Sequence, residues 1–229
     1  MKSAATCAAV AALLIATGAS AQSFQKPEDA IKWLDRAKAE NPANVRAPIL
    51  LGDVAAAAGD MPGALQHWLG IETQDAAYVP LVADRVVKAY ATLGEQGKAV
   101  EWLRGLLKGN LAPELLDTAY RTELEVNGPE AATALMRDQL RRQPSLLALT
   151  RYFEAQAAQA EAAASASDAV ADESASETAA IRDLLQLRTR NLARYTCREC
   201  GFRARLFYWQ CPGCNRWETY APRRSEALG

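Results

Sequence analysis

The chain has 229 residues and a formal net charge of −1, which fits one or two domains and gives no overall bias toward nucleic acid or a membrane surface. Half of its residues are apolar, with alanine dominant and β-branched residues sparse, so helices are expected along most of its length. The single histidine, His67, excludes catalytic triads and histidine-rich metal sites; beside Trp68 in a helical stretch it reads as a surface or groove residue.

The first segment, residues 1–27, reads in two ways. Lys2, an apolar run through Ile15, and Ala19-Ser20-Ala21 before Gln22 match a cleaved secretory signal. The same residues also read as a first helix over Ala4–Thr17, with Gly18 as its turn, pairing with a second helix at Glu28–Glu40 that otherwise lacks a partner for its apolar face. The run is too short to span a bilayer comfortably. Export would place four reduced cysteines near the C-terminus in an oxidising compartment. The helix is therefore preferred, and export is the alternative if residues 1–21 are a cleaved signal. On either reading Cys7 is a small apolar filler or is removed, not a metal ligand.

Residues 28–153 carry an internal repeat. Aligning Ala30, Ala64, Ala99 and Ala132 gives intervals of 34, 35 and 33 residues. In that register Leu34, Trp68, Leu103 and Met136 each follow an alanine by four positions, and Gly59, Gly94 and Gly128 precede one as turns. Pro42 and Pro144 close two of the units, where a proline cannot continue a helix. A small residue where paired helices cross, a large one filling the hole and a glycine between them resemble the tetratricopeptide (TPR) pattern. The expected fold is all-α: a TPR-like α-solenoid with a small C-terminal metal module. Such arrays stack to bury a continuous core and offer a concave groove to peptides or proteins. By this register the groove presents Arg46, Asp53, Arg85, Lys88 and Arg121 as candidate partner contacts, although charges on a helix face are commonly only solvated.

Residues 154–180 are rich in Ala, Ser, Asp and Glu, and after Ala155 hold no large apolar residue except Val170; they read as a flexible acidic linker or a frayed helix. From 181 to 194, Ile181, Leu184, Leu185, Leu187 and Leu192 recur on a helix with Arg188, Arg190 and Arg194 near its C-terminal end, where cations suit the macrodipole. This helix is expected to cap the solenoid and lead into the last module.

Residues 195–222 hold the sharpest signal. Cys197, Cys200, Cys211 and Cys214 follow the spacing C-x2-C-x10-C-x2-C inside YTCRECGFRARLFYWQCPGCNRW. Two such pairs match zinc ribbons and rubredoxins, and four thiolates leave no open coordination position, so the implied ion is structural or electron-carrying. Two disulfides are the alternative, weakened because cysteines two residues apart rarely form a relaxed bridge. Spacing does not choose between iron and zinc, since both accept a tetrahedral tetrathiolate. Tyr195, Phe202, Phe207, Tyr208, Trp209, Trp217 and Tyr220 are expected to form the mini-core of so short a module.

Helical repeats followed by this module resemble the lipopolysaccharide assembly protein B family of Gram-negative bacteria. The match is most specific at Tyr195, Cys197, Cys200, Gly201, Phe202, Tyr208, Trp209, Cys211, Pro212, Cys214 and Trp217. The resemblance implies a rubredoxin-type module that binds one iron and packs on the TPR array. It further implies a non-enzymatic adaptor at the cytoplasmic face of the inner membrane. There the family helps deliver the lipid A precursor deacetylase to the FtsH protease, limiting lipopolysaccharide production, among other lipopolysaccharide-assembly proteins. This chain is shorter than family members, which carry an N-terminal membrane anchor and more repeats, and it enters the array halfway through a unit; a fragment, or a start codon called too late, is one reading of that difference.

Two other functions are weighed. A tetrathiolate iron is redox-active, which allows rubredoxin-like electron transfer. Arg198, Arg203, Arg205, Arg216, Arg223 and Arg224 among aromatics allow a nucleic-acid-binding zinc ribbon, but arginines also keep a small module soluble, and no nucleic-acid partner is expected. No nucleophile–base pair or phosphate-binding glycine loop is present, so catalysis has no support.

Overall fold

A computed structural model describes residues 27–109, 113–166, 173–189, 193–222 and 225–226. The signal-or-helix segment before Pro27, including Cys7, lies outside the described residues. The chain is all-α except for its small C-terminal module, and it divides into two units, Met1–Gln96 and Gly97–Gly229.

The first unit contains helices α1 (Pro27–Glu40), α2 (Arg46–Ala57) and α3 (Met61–Asp75), a 3-10 turn (Ala76–Leu81) and α4 (Ala83–Thr92). Helix α2 packs against both α1 and α3. It ends at Gly59, whose φ of 87° only glycine adopts at no cost. There the Asp60 N–H donates to Ala55 O at 2.9 Å and the Gly59 N–H to Ala56 O at 3.0 Å, the paired bonds of a Schellman cap. Asp60 then caps α3, its carboxylate accepting from the Gly63 N–H at 2.9 Å. The end of α4 repeats the device, with Gly94 at φ 73° and the Glu95 N–H donating to Tyr90 O at 2.8 Å.

Helix α5 (Gln96–Leu106), in the second unit but for its first residue, is followed by a helical run, α6 (Pro113–Arg142), which breaks at Gly128, φ 84°. All three repeat glycines therefore sit in left-handed turns. The repeat alanines are buried, Ala30 at 2 % exposed and Ala64, Ala99 and Ala132 at 0 %. Trp68, Leu103 and Met136, four residues on, are also buried, while Leu34 is half-buried. Close approach explains the small residues. A β-carbon built on Gly52 would lie 2.3 Å from Trp68 Nε1, because the indole rests on the α2 backbone and donates to Ile49 O at 3.2 Å.

Helix α7 (Leu146–Ala166) packs on α6, and α8 (Glu173–Thr189) packs on α7. Most of the stretch whose composition suggested a linker or frayed helix is thus helical, although residues 167–172 lie outside the described residues. Ala155 and Ala157 are buried. Alanine needs no large apolar surface when a neighbouring helix can come this close, which is why composition misled. The helix expected from 181 starts at Glu173 and ends at Thr189, and Ala193–Thr196 is already strand. On it Ile181, Leu184 and Leu187 are exposed rather than turned inward.

Side chains one repeat apart are linked laterally. Asp53 pairs with Arg85 at 2.9 Å across α2 and α4, Asp117 with Arg151 across α6 and α7, and Gln186 donates to Glu154 at 2.8 Å across α8 and α7. Among the described residues no helix is long and apolar enough to cross a membrane.

Replacing Gly52 by Ala should lower stability by about 1–3 kcal/mol, because the Trp68 ring must move. Gly70→Ala, on an exposed face of α3 with no atom within 4 Å of the new methyl, should raise it by up to about 1 kcal/mol. Urea denaturation followed by circular dichroism reads both signs.

Candidate metal centre

Strand β1 (Ala193–Thr196) pairs antiparallel with β2 (Arg203–Ala204) on one side and β3 (Ser225–Glu226) on the other. The turn between β1 and β2 carries the first cysteine pair, and a second turn, closed by a bridge between Gln210 and Trp217, carries the other. The two turns have one backbone plan. In the first, the Gly201 N–H donates to Cys197 O at 3.0 Å and the Cys197 N–H to Phe202 O at 2.9 Å. In the second, the Asn215 N–H donates to Cys211 O at 2.8 Å and the Cys211 N–H to Arg216 O at 2.9 Å. The fourth residue after each first cysteine is left-handed, Gly201 at φ 72° and Asn215 at φ 58°; after glycine, asparagine is among the residues that tolerate this region best. Arg216 and Glu199 join the two turns at 2.5 Å, but both are largely exposed, so the pair contributes little.

The turns bring all four sulfurs within 4.8 Å of one another. Cys197 Sγ lies 3.8 Å from Cys214 Sγ, and Cys200 Sγ 3.7 Å from Cys211 Sγ. A tetrahedron with metal–sulfur bonds of about 2.3 Å has edges of roughly 3.8 Å, whereas a disulfide needs about 2.05 Å. The four thiols are free, so the disulfide alternative fails and the donor set fits one tetrahedral cation. Cys197 and Cys211 are buried, Cys200 is exposed and Cys214 is intermediate.

Hydrogen bonds converge on the buried pair. The Gly213 N–H donates to Cys211 Sγ at 3.3 Å, the Thr219 hydroxyl lies 3.2 Å from Cys197 Sγ, and the Tyr220 hydroxyl lies 3.7 Å from Cys211 Sγ. Burial opposes ionisation of Cys197, but the Thr219 hydroxyl and the Cys200 and Glu199 amides outweigh it and hold the thiol down at about 6. For Cys200 the Phe202 amide favours the thiolate, yet desolvation and the three other sulfurs together push it up to about 12. Cys211 is lowered, by the amides of Cys214 and Gly213 against burial, and Cys214 is raised. Burial and the neighbouring sulfurs push the Tyr220 phenol well above its usual value, so it keeps its proton.

Around the sulfurs the expected aromatic mini-core forms in part. Tyr195 and Tyr220 are buried with Ala204, and Phe207 packs on them, its ring centroid 5.7 Å from Tyr195, 5.0 Å from Trp209 and 6.4 Å from Tyr220. Phe202, Tyr208 and Trp217 instead stay exposed.

Comparison with known proteins follows the same division. Residues 195–222 match the family model described as the rubredoxin metal binding domain. Over 202 residues the chain is 26 % identical to lipopolysaccharide assembly protein B of Haemophilus influenzae, covering 86 % of this chain and 48 % of that one. The family resemblance holds. The alignment extends far beyond the cysteine module and so takes in the helical repeats, while the chain spans about half the length of this relative.

The candidate groove residues fall in different settings. Asp53 is buried and joined to Arg85; Arg46 is half-buried, Lys88 exposed, and Arg121 exposed with Asp117 at 3.6 Å. Burial pushes the Asp53 carboxyl above its usual value against the pull of Arg85. Sequence reasoning missed the Arg151 cluster with Asp117 and Glu154, and the Arg104 fork, whose nitrogens lie 2.6 and 3.0 Å from the buried Glu123 carboxylate. It also missed Thr219, which has no motif of its own. Repeat-length spacing between opposite charges would have flagged Asp53–Arg85 and Asp117–Arg151.

Two outcomes follow. Gly201→Ala should destabilise the metal-loaded module by about 1–2 kcal/mol, since the new β-carbon meets left-handed strain, while Asn215→Gly should be neutral or mildly stabilising; chemical denaturation checks both. A cation must displace the proton of Cys200, whose raised value keeps it a thiol at neutrality, whereas Cys197 is ionised above about 6. Metal binding at pH 7 should therefore release protons, and affinity should rise as pH rises above 7 and fall as pH drops, more steeply below 6 as Cys197 protonates. Calorimetry in two buffers of different ionisation enthalpy measures the release.

Proposed function

We propose that this chain is a non-enzymatic adaptor that regulates lipopolysaccharide biosynthesis, with Cys197, Cys200, Cys211 and Cys214 holding one iron in a rubredoxin-type module. The observation that carries this reading is a closed tetrathiol site joined to helical repeats, in a chain similar to lipopolysaccharide assembly protein B along both parts. The helices read as TPR-like repeats over 28–153, supported by the buried alanines, the left-handed glycines and the lateral pairs one repeat apart.

The chemistry of such an adaptor is binding. A closed site leaves no position for a substrate, so the ion's contribution is to fold a module of about thirty residues, worth on the order of 10–16 kcal/mol for structural zinc. The helices offer charged side chains for protein partners. Arg46, Arg85, Lys88 and Arg121 are the proposed contacts, and Asp53 holds Arg85 in place. By resemblance the partners are the FtsH protease and the lipid A precursor deacetylase, and the site of action is the cytoplasmic face of the inner membrane. A second reading, electron transfer, is favoured by the exposed Cys200, which sets one edge of the site at the surface.

Anaerobically purified protein should hold about one iron per chain with thiolate-to-iron charge-transfer bands, and should retain FtsH and the deacetylase in a pull-down. Cys197→Ser or Cys211→Ser should lose the metal, unfold the module and lose both partners. A stable, metal-free variant that still retains them would overturn the proposal, and zinc in place of iron would remove electron transfer while leaving the adaptor.

A further inference from the structure

Four thiolates around a divalent cation carry a net charge of −2, and that excess must be met by hydrogen-bond donors. At the exposed Cys200 and the partly exposed Cys214 water can supply them. Cys197 and Cys211, at 2 % and 0 % exposure, depend on the protein. Backbone amides from the two turns serve them in part, but the turns are near-equivalent and the same amides recur in each. What distinguishes the buried pair is a side-chain hydroxyl apiece, drawn from two consecutive residues outside both turns.

Resting on the metal-binding reading above, we infer that Thr219 and Tyr220 are positioning residues of the metal centre: their hydroxyls are hydrogen-bonded to the Cys197 and Cys211 sulfurs, and once those sulfurs are metal-bound thiolates, which can only accept, the hydroxyls donate to them and set the metal affinity. The placement is built rather than incidental. Thr219 is 8 % exposed and Tyr220 2 %. The Arg198 N–H donates to Thr219 O at 2.8 Å, and Tyr220 bridges to Cys197, so the return segment is tied to the first cysteine turn. The Tyr220 ring is held by Phe207 at 6.4 Å and Tyr208 at 6.2 Å, which fixes where its hydroxyl points. A buried hydroxyl needs a partner, and the sulfurs are the partners provided. The aromatic core and the metal centre thus meet at one residue.

Cobalt(II) titration of the anaerobic 229-residue chain, with a competing chelator, tests this on Thr219→Val, Thr219→Ser and Tyr220→Phe. Val and Phe keep shape and remove the hydroxyl; Ser keeps the hydroxyl. Val and Phe should each weaken cobalt binding roughly 10-fold, at the low end of the ~10–100-fold cost of removing an outer hydrogen bond to a metal ligand, and should shift the thiolate-to-cobalt bands. Ser should stay near wild type in both. Val and Phe variants with wild-type affinity and bands would overturn the inference. So would a Ser variant as impaired as Val, since the methyl and its packing would then be what matters at Thr219. If the wild-type chain forms no thiolate–cobalt bands, the metal reading itself fails, an outcome separable from either of these.

Discussion

Four sulfurs confined within 4.8 Å of one another repel as they ionise, and the C-terminal module is organised by that constraint. The four sites are not equivalent: against burial, hydrogen bonds lower Cys197 and Cys211, while Cys200 and Cys214 are raised. On the metal-binding reading proposed above, a single cation would relieve that repulsion and couple ion binding to folding of the module. So short a segment has few other resources: among the described residues, a hydrophobic cluster of five buried residues, two of them metal-site cysteines, and a sheet whose outer strands are two residues each. The near-equivalent turns economise further, because one backbone solution, a left-handed residue four after the first cysteine, is used twice.

The helical units answer a different demand with a similar saving. Their interfaces rely on absent side chains: Gly52 beneath Trp68, the repeat alanines at 0–2 % exposure, and Ala155 and Ala157 in α7. Bringing backbones close lets a few large residues such as Trp68, Leu103 and Met136 fill the remaining holes at interior density. Charges work inside each unit as well. Asp53 with Arg85, and Arg151 with Asp117 and Glu154, tie helices together that lie one repeat apart. Only Asp53 among these is buried, so losing Arg85 would leave its carboxylate as a buried charge without a partner.

Composition alone did not distinguish a flexible linker from a helix across the end of α7 and the start of α8, for a physical reason. A stretch with almost no large apolar residue cannot drive its own collapse, which is the logic of disorder. It can still complete a helix pair when the neighbour presents a surface to alanine, and Gln186 reaching Glu154 adds a directional tie. The same helix shows the converse. The apolar period of Ile181, Leu184 and Leu187 suggested an inward face, but those side chains are exposed, and Thr178, Arg182, Leu185, Gln186 and Thr189 are the better-covered side.

Much was legible because it is local. The cysteine spacing announced the metal site, the 33–35-residue period announced paired helices, and glycine at the turn predicted the left-handed backbone at Gly59, Gly94 and Gly128. These follow from short-range sterics and periodicity, which a linear string carries. The hydroxyl beside the Cys197 sulfur was not legible, since Thr219 lies 22 residues away and is brought there by the bridge of its neighbour Tyr220 to Cys197. Nor were the pairings among charges, because a helix face full of Asp, Glu and Arg specifies no partner until neighbouring helices set the distances. Sequence alone determined which residue types would be buried, turned or brought together in the cysteine pairs. Tertiary structure decided which sulfurs are shielded, which charges are satisfied internally and where the helices end, because those depend on contacts between residues that the chain keeps far apart.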